Sequence, residues 1–424
     1  MIVTFEPGRV KGEITAIPSK SHLHRLLICS ALATTSTNII SAHTGALDIQ
    51  ATIACLEALG AQITTGSEGF DIKPIDYTNL PETCVLPCKE SGSTFRFMLP
   101  VVCALGVTGE FQMEGRLPER PIEPLGQELT NKGITLSRPT ATTLRCEGKL
   151  QPGKYTLPGN ISSQYISGLL MALPLLAQES LLTITEDLQS GAYVHMTVAV
   201  LASFGIKHTF INSQYVVAPK QTLQSPGLVT VDGDWSNSAL WLACGAMAGG
   251  DILLKNINQY SLQGDRQMAI LVEQLGAELH WEGNQVRVKE KTRQAIEIDA
   301  GEIPDLIPVL SGILSVAKGT SIIKNASRLR IKESDRLATT AQTLNTLGAD
   351  ITELEEGLII RGVASLKGGT VSACNDHRIA MTAAVASIAC VEPVVLTDAQ
   401  AVNKSYPKLW EDLQSLGKQL KVGD

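Results

Sequence analysis

The chain has 424 residues, a net charge of −7 and a pI near 5.6, and 44% of its residues are hydrophobic. An acidic chain of this kind argues against nucleic acid or an anionic membrane surface as the main partner. Its length exceeds what one ordinary core supports, so we expect two domains. The nine cysteines lie mostly in apolar runs, which is typical of reduced thiols in a cytoplasmic protein. We expect no signal peptide and no membrane span, since the apolar runs fall short of the roughly 20 residues that cross a bilayer.

A glycine that ends a predicted helix recurs along the whole chain. The intervals between these glycines are 73, 72, 71, 72 and 69 residues, and the positions are Gly60, Gly133, Gly205, Gly276, Gly348 and Gly417. Glycine is common just past the last residue of a helix. A strand, a helix and a second strand precede each such helix, and a hairpin usually follows the glycine. The pattern predicts six βαβαββ repeats, because a period this long suits a compact supersecondary unit.

The last repeat has no room for its hairpin before the chain stops. Residues 1–18 read as a hairpin with no helix before it, so we expect this segment to complete the last repeat. Three repeats then form each domain. One domain consists of residues 1–18 and 229–424, and the other of residues 19–228. Two chain crossings predict a hinge, with the site in the cleft between the domains.

Polar and charged residues gather at the predicted helix starts, where free N–H groups and a partial positive charge attract anions. In chain order they are Lys20, Ser21, Arg25, Gly92, Arg120, Ser162, Ser163, Gln164, Ser190, Tyr193, Asp305, Arg328, Lys332, Glu333, Arg336, His377, Arg378 and Lys404. Taken singly, each is more readily a helix cap, a turn or a surface charge. Taken together in an acidic chain, they predict a site for small molecules with phosphate and carboxylate groups. Asp305 and Glu333 are the acid–base candidates.

Five stretches in combination resemble the 3-phosphoshikimate 1-carboxyvinyltransferase family, also called EPSP synthases, within the enolpyruvyl transferases. The resemblance runs in order from Pro18 to Pro407. The stretches are Pro18-Ser19-Lys20-Ser21 with Arg25, Ser162-Ser163-Gln164, Ile303-Pro304-Asp305, Arg330 with Lys332-Glu333-Ser334-Asp335-Arg336, and Asn375-Asp376-His377-Arg378.

This resemblance implies a two-domain inside-out α/β barrel with three βαβαββ repeats in each domain. It implies transfer of the enolpyruvyl group of phosphoenolpyruvate to the 5-hydroxyl of shikimate 3-phosphate, with loss of phosphate from a tetrahedral intermediate. The reaction belongs to the shikimate pathway of aromatic amino acid biosynthesis. No metal or organic cofactor is implied, glyphosate is the implied inhibitor, and we expect a monomer.

The resemblance also implies a role for each candidate residue. Shikimate 3-phosphate would be held by Lys20, Ser21, Arg25, Ser162, Ser163, Gln164, Ser190, Tyr193, Asp305, Arg328 and Lys332. Phosphoenolpyruvate would be held by Lys20, Gly92, Arg120, Gln164, Arg336, Arg378 and Lys404, with His377 in a supporting place. Asp305 would take the proton of the attacking hydroxyl. Glu333, with Lys20, would handle proton transfer at the methylene carbon and the bridging oxygen.

Two positions depart from the commoner family pattern. Glu90 stands where asparagine is frequent, two residues before Gly92, so a carboxylate approaches the predicted phosphate site. Arg328 stands where asparagine is expected, four residues before Lys332. The contact to the shikimate ring that asparagine would make does not carry over directly to an arginine at residue 328, which also adds a cation.

Two alternatives stay open at this point. UDP-N-acetylglucosamine 1-carboxyvinyltransferases share the fold, but they carry asparagine where this chain has Ser21. They also carry a cysteine in the loop before the arginine that matches Arg120, and this chain has none there. A non-catalytic anion-binding protein on the same fold is the other alternative, and it would leave Asp305 and Glu333 without a purpose.

Overall fold

The computed structural model describes residues 1–42, 45–247 and 249–423. The chain forms two compact units. The terminal unit consists of Met1–Ser19, Thr44–Ala46 and Asp232–Asp424, and the central unit consists of Lys20–His43 and Leu47–Val231.

Helices and strands follow one another closely along both units. The first strands are β1 (Ile2–Phe5) and β2 (Lys11–Thr15). The central unit continues with α1 (Lys20–Ala31), β3 (Thr37–Ile40), α2 (Leu47–Ala58), β4 (Gln62–Thr65), β5 (Gly69–Lys73), β6 (Thr83–Lys89), α3 (Gly92–Leu105), β7 (Thr108–Met113), α4 (Leu125–Asn131), β8 (Thr135–Thr140), β9 (Thr143–Glu147), β10 (Lys154–Pro158), α5 (Ser163–Ala172), β11 (Ser180–Thr185), α6 (Gly191–Ser203), β12 (His208–Ile211), β13 (Gln214–Val217) and β14 (Leu228–Thr230).

The rest of the terminal unit has a similar order of helices and strands. Its elements are α7 (Trp235–Gly245), β15 (Asp251–Lys255), α8 (Gln267–Leu275), β16 (Glu278–Glu282), β17 (Gln285–Lys289), β18 (Glu297–Asp299), α9 (Ile307–Leu314), β19 (Thr320–Lys324), α10 (Arg336–Thr346), β20 (Asp350–Leu354), β21 (Gly357–Arg361), β22 (Gly369–Ser372), α11 (His377–Ala386), β23 (Val394–Thr397), α12 (Leu409–Ser415) and β24 (Leu420–Gly423). Short 3₁₀ helices lie at Leu117–Glu119, Leu173–Leu175, Gly264–Arg266, Pro304–Leu306, Ser327–Ile331 and Ala399–Lys404.

The described strands of each unit form three four-stranded sheets with one topology. The central unit has the strand orders β14-β3-β5-β4, β6-β7-β9-β8 and β10-β11-β13-β12. The terminal unit has β16-β17-β15-β2, β18-β19-β21-β20 and β22-β23-β1-β24. In each sheet an outer strand pairs in parallel with the next strand, and antiparallel pairs complete the other side. The βαβαββ repeat predicted from the glycine spacing is therefore confirmed.

The prediction of an N-terminal hairpin is wrong. β1 lies between β23 and β24 in the last repeat, where Val3 is opposite both Leu396 and Val422. β2 instead pairs in parallel with β15 in another sheet. A hairpin would give β1 only one neighbouring strand. In the position between β23 and β24, β1 has hydrogen-bonded strands on both sides, and Val3 and Phe5 are almost completely buried. β14 similarly joins the sheet of β3, so segments near the chain crossings complete a sheet in each unit.

In each unit the helices lie inside and the sheets outside. Every residue of α9 is buried, and α3 buries residues on all of its faces. Strand β6 instead alternates exposed and buried residues, as a strand with one solvated face does. A helix that is apolar all round belongs in a core. This is the inside-out α/β architecture that was predicted. Within the described ranges, no helix is long and apolar enough to cross a membrane.

Candidate active site

The candidate residues follow the carboxyl ends of paired parallel strands. Gly92 follows β6 and Arg120 follows its parallel partner β7. The same holds for three other parallel pairs, with Ser163 after β10, Ser190 after β11, Asp305 after β18, Lys332 after β19, Arg378 after β22 and Lys404 after β23. Carboxyl ends of parallel strands meet at one sheet edge, which is where open α/β sheets bind ligands.

Lys20, the first residue of α1, is paired with Asp48. Lys20 Nζ lies 2.6 Å from Asp48 Oδ2, and the side chains are 17% and 12% exposed. Asp48 is in the first turn of α2, where a carboxylate suits the positive end of the helix. Asp48 was not among the predicted site residues, because an acidic residue in a first turn needs no further function.

Arg25 is a buried residue of α1, and its guanidinium donates hydrogen bonds to other residues of the central unit. Nε donates to Thr197 Oγ1 at 2.7 Å, Nη1 donates to the Ser21 carbonyl at 2.7 Å and Nη2 donates to the Tyr193 carbonyl at 3.0 Å. The guanidinium also lies 4.8 Å from the centre of the Phe97 ring. Burial lowers the pKa of Arg25 to about 10, so it remains a cation at neutral pH. It fixes the backbone of Ser21 and Tyr193, two of the predicted site residues.

Gly92 begins α3 and lies against two arginines. A Cβ built on Gly92 would be 2.8 Å from Arg120 Nη1 and 3.0 Å from Arg96 Nη1. Arg120 Nε is buried and has no hydrogen-bond partner among the described residues. Its loop is held by Tyr165, whose hydroxyl donates to the Pro121 carbonyl at 2.5 Å. Two guanidinium groups therefore lie at the start of α3, and a side chain at residue 92 would have to displace them.

Gln164 is fixed beside the same helix start. Its Oε1 accepts from Arg96 Nη1 at 2.8 Å, and its Nε2 donates to Ser93 Oγ at 2.9 Å. Arg96 itself is 5% exposed and lies over the Tyr165 ring. Sequence analysis gave Arg96 no role, because an arginine within the apolar run of α3 carries no motif. Its position one turn after Gly92 is the signal that could have found it.

Ser162 and Ser190 stand at helix starts of the central unit, but they do not cap with their side chains. Ser162 occupies the N-cap of α5 and Ser190 the N-cap of α6, and in the described structure neither hydroxyl makes a capping hydrogen bond. Ser190 also has a left-handed backbone, with φ 55°. That conformation costs a residue with a side chain about 1–2 kcal/mol. Capping therefore does not explain why these serines are present.

Arg336, the first residue of α10, joins the acidic candidates of the terminal unit. Its Nη1 lies 2.7 Å from Asp305 Oδ1 and its Nη2 lies 2.7 Å from Glu333 Oε2. Nε donates to Asp376 Oδ2 at 2.8 Å, and Ser334 Oγ donates to the same oxygen at 2.9 Å. One buried guanidinium thus orients three carboxylates in a fixed fork.

The charges of this cluster stabilise one another. Burial would raise the pKa of Asp305, but Lys332, Arg336 and Arg378 together hold that pKa below its ordinary value. Burial would lower the pKa of Arg336, and the carboxylates outweigh it and raise that pKa. Lys332 Nζ lies 3.2 Å from Asp305 Oδ1, yet burial is the larger effect and lowers the pKa of Lys332. Asp305 is therefore ionised at neutral pH.

Arg378 and Lys404 extend the cationic surroundings of this cluster. Arg378 is 4% exposed, and its Nη1 donates to the Ser236 carbonyl at 2.6 Å. Its Nε is buried and has no hydrogen-bond partner within the described part of the chain. Lys404 Nζ donates to the Asn375 carbonyl at 2.5 Å. His377 is buried at the start of α11, with Nδ1 3.9 Å from Asp376 Oδ1.

The arginines of the 327–331 turn face different partners. Arg328 Nη1 reaches the Gly301 carbonyl at 3.5 Å, and burial lowers the pKa of Arg328 against the opposing effect of Asp305. Arg330, although part of the basic stretch, donates to Asp335 at 2.9 Å and to Glu353 at 2.8 Å. Arg330 thus secures the loop to β20 and leaves Lys332 and Arg336 as the cations that contact Asp305.

The unusual Glu90 folds onto a neighbouring loop. Its carboxylate occupies the space beside Gly115 in which a Cβ would lie. Gly115 has φ 54°, a conformation that favours glycine. The side chain at residue 90 therefore packs on the loop after β7 that leads to Arg120.

The fold and this arrangement of cations and carboxylates define an α/β enzyme for small, highly anionic substrates. A family model described as EPSP synthase (3-phosphoshikimate 1-carboxyvinyltransferase) matches residues 5–413. The 3-phosphoshikimate 1-carboxyvinyltransferases of Clostridium kluyveri and Clostridium acetobutylicum are each 38% identical to this chain. The first match covers 99% of this chain and 98% of the relative, and the second covers 98% and 97%.

A solved structure has the same fold. The EPSP synthase of Acinetobacter baumannii aligns with a TM-score of 0.82 at 23% identity, and the match covers 100% of both chains. The chain belongs to the EPSP synthase family.

Proposed function

We infer that this protein is a carboxyvinyl transferase that moves the enolpyruvyl group of phosphoenolpyruvate to the 5-hydroxyl of shikimate 3-phosphate and releases phosphate. The reaction is a step of the shikimate pathway to aromatic amino acids. The family match over nearly the whole chain supports this function, as do relatives of that name at 38% identity. The observation that carries it is that one buried guanidinium, that of Arg336, orients both acid–base candidates, Asp305 and Glu333.

We propose binding roles for residues of both units. The proposed shikimate 3-phosphate set is Lys20, Ser21, Arg25, Ser162, Ser163, Gln164, Ser190, Tyr193, Asp305, Arg328 and Lys332. The proposed phosphoenolpyruvate set is Lys20, Gly92, Arg120, Gln164, Arg336, Arg378 and Lys404. The buried Nε atoms of Arg120 and Arg378, for which the described residues offer no acceptor, support an anionic ligand beside each. Arg25 acts in this account through the backbone of Ser21 and Tyr193.

The chemistry assigned to the carboxylates follows from their surroundings. Asp305, ionised and next to Lys332, takes the proton of the attacking hydroxyl. A bound anion that drew Lys332 and Arg336 toward itself would weaken their hold on Asp305 and make the carboxylate a stronger base. Glu333, with Lys20, delivers a proton to the methylene carbon and removes one in the elimination. The cations stabilise the phosphate that leaves.

We propose that the protein acts in the cytoplasm as a monomer and that glyphosate competes with phosphoenolpyruvate. All nine cysteines are free thiols, which suits a reducing compartment. Transfer to UDP-N-acetylglucosamine is less well supported, since the family model and the curated relatives both carry the shikimate activity.

Acceptor-dependent phosphate release tests the proposed function. Purified protein is given phosphoenolpyruvate with shikimate 3-phosphate, with UDP-N-acetylglucosamine or with no acceptor. Phosphate release only with shikimate 3-phosphate is the expected result. Release with the nucleotide sugar would favour the alternative transferase, and no release with either acceptor would favour a non-catalytic binding protein.

A further inference from the structure

Two polar rungs join α1 to α2 in the central unit. The first is the Lys20–Asp48 ion pair at 2.6 Å. One helical turn further along both helices, His24 Nδ1 lies 2.7 Å from Thr52 Oγ1. Residues four apart share a helix face, so the second rung lies directly after the first on the same pair of faces. His24 and Thr52 are both 0% exposed, and no ligand can touch them where they lie.

The second rung continues into α3. Thr52 Oγ1 lies 2.6 Å from Thr94 Oγ1, and Thr94 Oγ1 lies 2.7 Å from Ser91 Oγ. Ser91 is the N-cap of α3, and its hydroxyl accepts from the Thr94 N–H at 3.3 Å. Thr94 and Ser91 are also 0% exposed. A continuous buried hydrogen-bond chain therefore runs from α1, through α2, to the residue before Gly92.

Thr94 is the branch point of this hydrogen-bond chain. Thr94 Oγ1 donates to Ser91 Oγ at 2.7 Å and also lies 3.3 Å from the Asp48 carbonyl, which can only accept. Thr52 Oγ1 shares one hydrogen bond with Thr94 Oγ1 and another with His24 Nδ1. Burial, Lys20 and Arg25 all hold the pKa of His24 well below its ordinary value, so the imidazole stays neutral. A neutral imidazole keeps its hydrogen bond to Thr52 without adding a charge to the buried chain.

We propose that His24, Thr52 and Thr94 are positioning residues for phosphoenolpyruvate, which hold the Lys20 ammonium in register with the free N–H groups at the start of α3. This inference rests on the phosphoenolpyruvate roles proposed for Lys20 and Gly92. The two helix starts are joined through α2, because Asp48 contacts Lys20 by its side chain and Thr94 by its carbonyl. Lost hydrogen bonds among buried groups let helices shift, and small misplacements of binding groups reduce turnover strongly.

A pair of substitutions at Thr52 separates a hydrogen-bonding role from a packing role. Thr52→Val keeps the shape and removes the hydroxyl, whereas Thr52→Ser keeps the hydroxyl and removes a methyl group. We expect Thr52→Val to lower kcat/KM for phosphoenolpyruvate by about tenfold, which is the size of loss seen when residues that support metal ligands are removed. Thr52→Ser should stay near the wild-type value even if its melting temperature falls.

Thr37→Val is the matched control. Thr37, the first residue of β3, is also a buried threonine of the central unit, and its hydroxyl lies 2.7 Å from Ser225 Oγ. We expect it to lower the melting temperature and leave kcat/KM unchanged. Wild-type-like kinetics in Thr52→Val, or an equal loss in Thr52→Ser, would overturn the positioning role. A wild-type protein without turnover would overturn the proposed function and, with it, this inference.

Discussion

Asp305 Oδ1 lies 2.7 Å from Nη1 of Arg336, a buried arginine that also binds Asp376 and Glu333. Asp376 is completely buried, and its oxygens accept hydrogen bonds from Arg336, from Ser334 and from the Arg378 N–H. Removing one partner of a buried ion pair leaves an uncompensated charge. The contacts of Arg336 therefore stabilise the fold and also orient the carboxylates of the candidate site.

Arg336→Met should destabilise the fold by roughly 3–5 kcal/mol, because Asp376 then remains buried without its cation. The double variant Arg336→Met/Asp376→Asn should recover part of that loss, since the buried charge is gone. Urea unfolding of the three proteins measures the difference. Equal stability of the single variant and the wild type would show that the pair contributes nothing to folding.

Asp305→Asn should retain substrate binding and lose about 10²–10⁴ in kcat, because the amide cannot accept the proton of the attacking hydroxyl. Steady-state kinetics and a binding titration together test this. Asp335→Asn is the matched control. Asp335 caps α10 and pairs with Arg330, and asparagine also caps well, so kcat should hardly change. Near-wild-type turnover in Asp305→Asn would remove Asp305 from the role of base.

Gly92→Ala should raise the KM for phosphoenolpyruvate with little change in melting temperature. The new Cβ would be 2.8 Å from Arg120 Nη1, so the guanidinium must move. Gly60→Ala is the reverse control, because Gly60 has open space around its Cα but a left-handed φ of 100°. It should lower the melting temperature and leave KM unchanged. The opposite pattern in the two variants would show that residue 92 needs glycine only for its turn.

Lys418 should make stability depend on pH in the alkaline range. Its Nζ is buried and donates to the Ser387 carbonyl at 3.1 Å, and burial lowers the pKa of Lys418 to about 8. The unfolded chain keeps a lysine pKa near 10.4, so between these values the unfolded state binds more protons and stability rises with pH. Relative to Lys418→Met, the wild type should gain on the order of 3 kcal/mol from pH 7 to above pH 10. A difference in unfolding free energy that is constant with pH would contradict the lowered pKa.

The repeat architecture could be predicted because the sequence of each repeat contains the local patterns that mark helix starts and helix ends. The glycines at regular intervals end helices, and the cations and serines stand at helix starts, so the edge that carries the candidate site was visible in the sequence. The N-terminal hairpin was predicted wrongly for the same reason. The local sequence of β1 carries no signal for its strand partners, because β23 and β24 lie about four hundred residues further along the chain.

The side-chain partners that are set by tertiary packing could not be predicted from the sequence. Asp48 and Arg96 reach Lys20 and Gln164 only because α1, α2, α3 and α5 pack side by side. Arg330 shares a motif with Lys332, yet its partners are Asp335 and Glu353. Residue type and spacing identified which groups carry charge, whereas tertiary contacts decide which carboxylate each cation faces.

Deuterium transfer from solvent tests the addition–elimination account most directly. The reaction of phosphoenolpyruvate with shikimate 3-phosphate is run in D₂O and followed by proton and phosphorus NMR. Addition converts the methylene carbon to a methyl group with one deuteron, and elimination then removes a proton or a deuteron. The account predicts an enolpyruvyl ether with deuterium at its vinyl carbon, formed together with inorganic phosphate. An ether with no vinyl deuterium, or phosphate released without any ether, would contradict it.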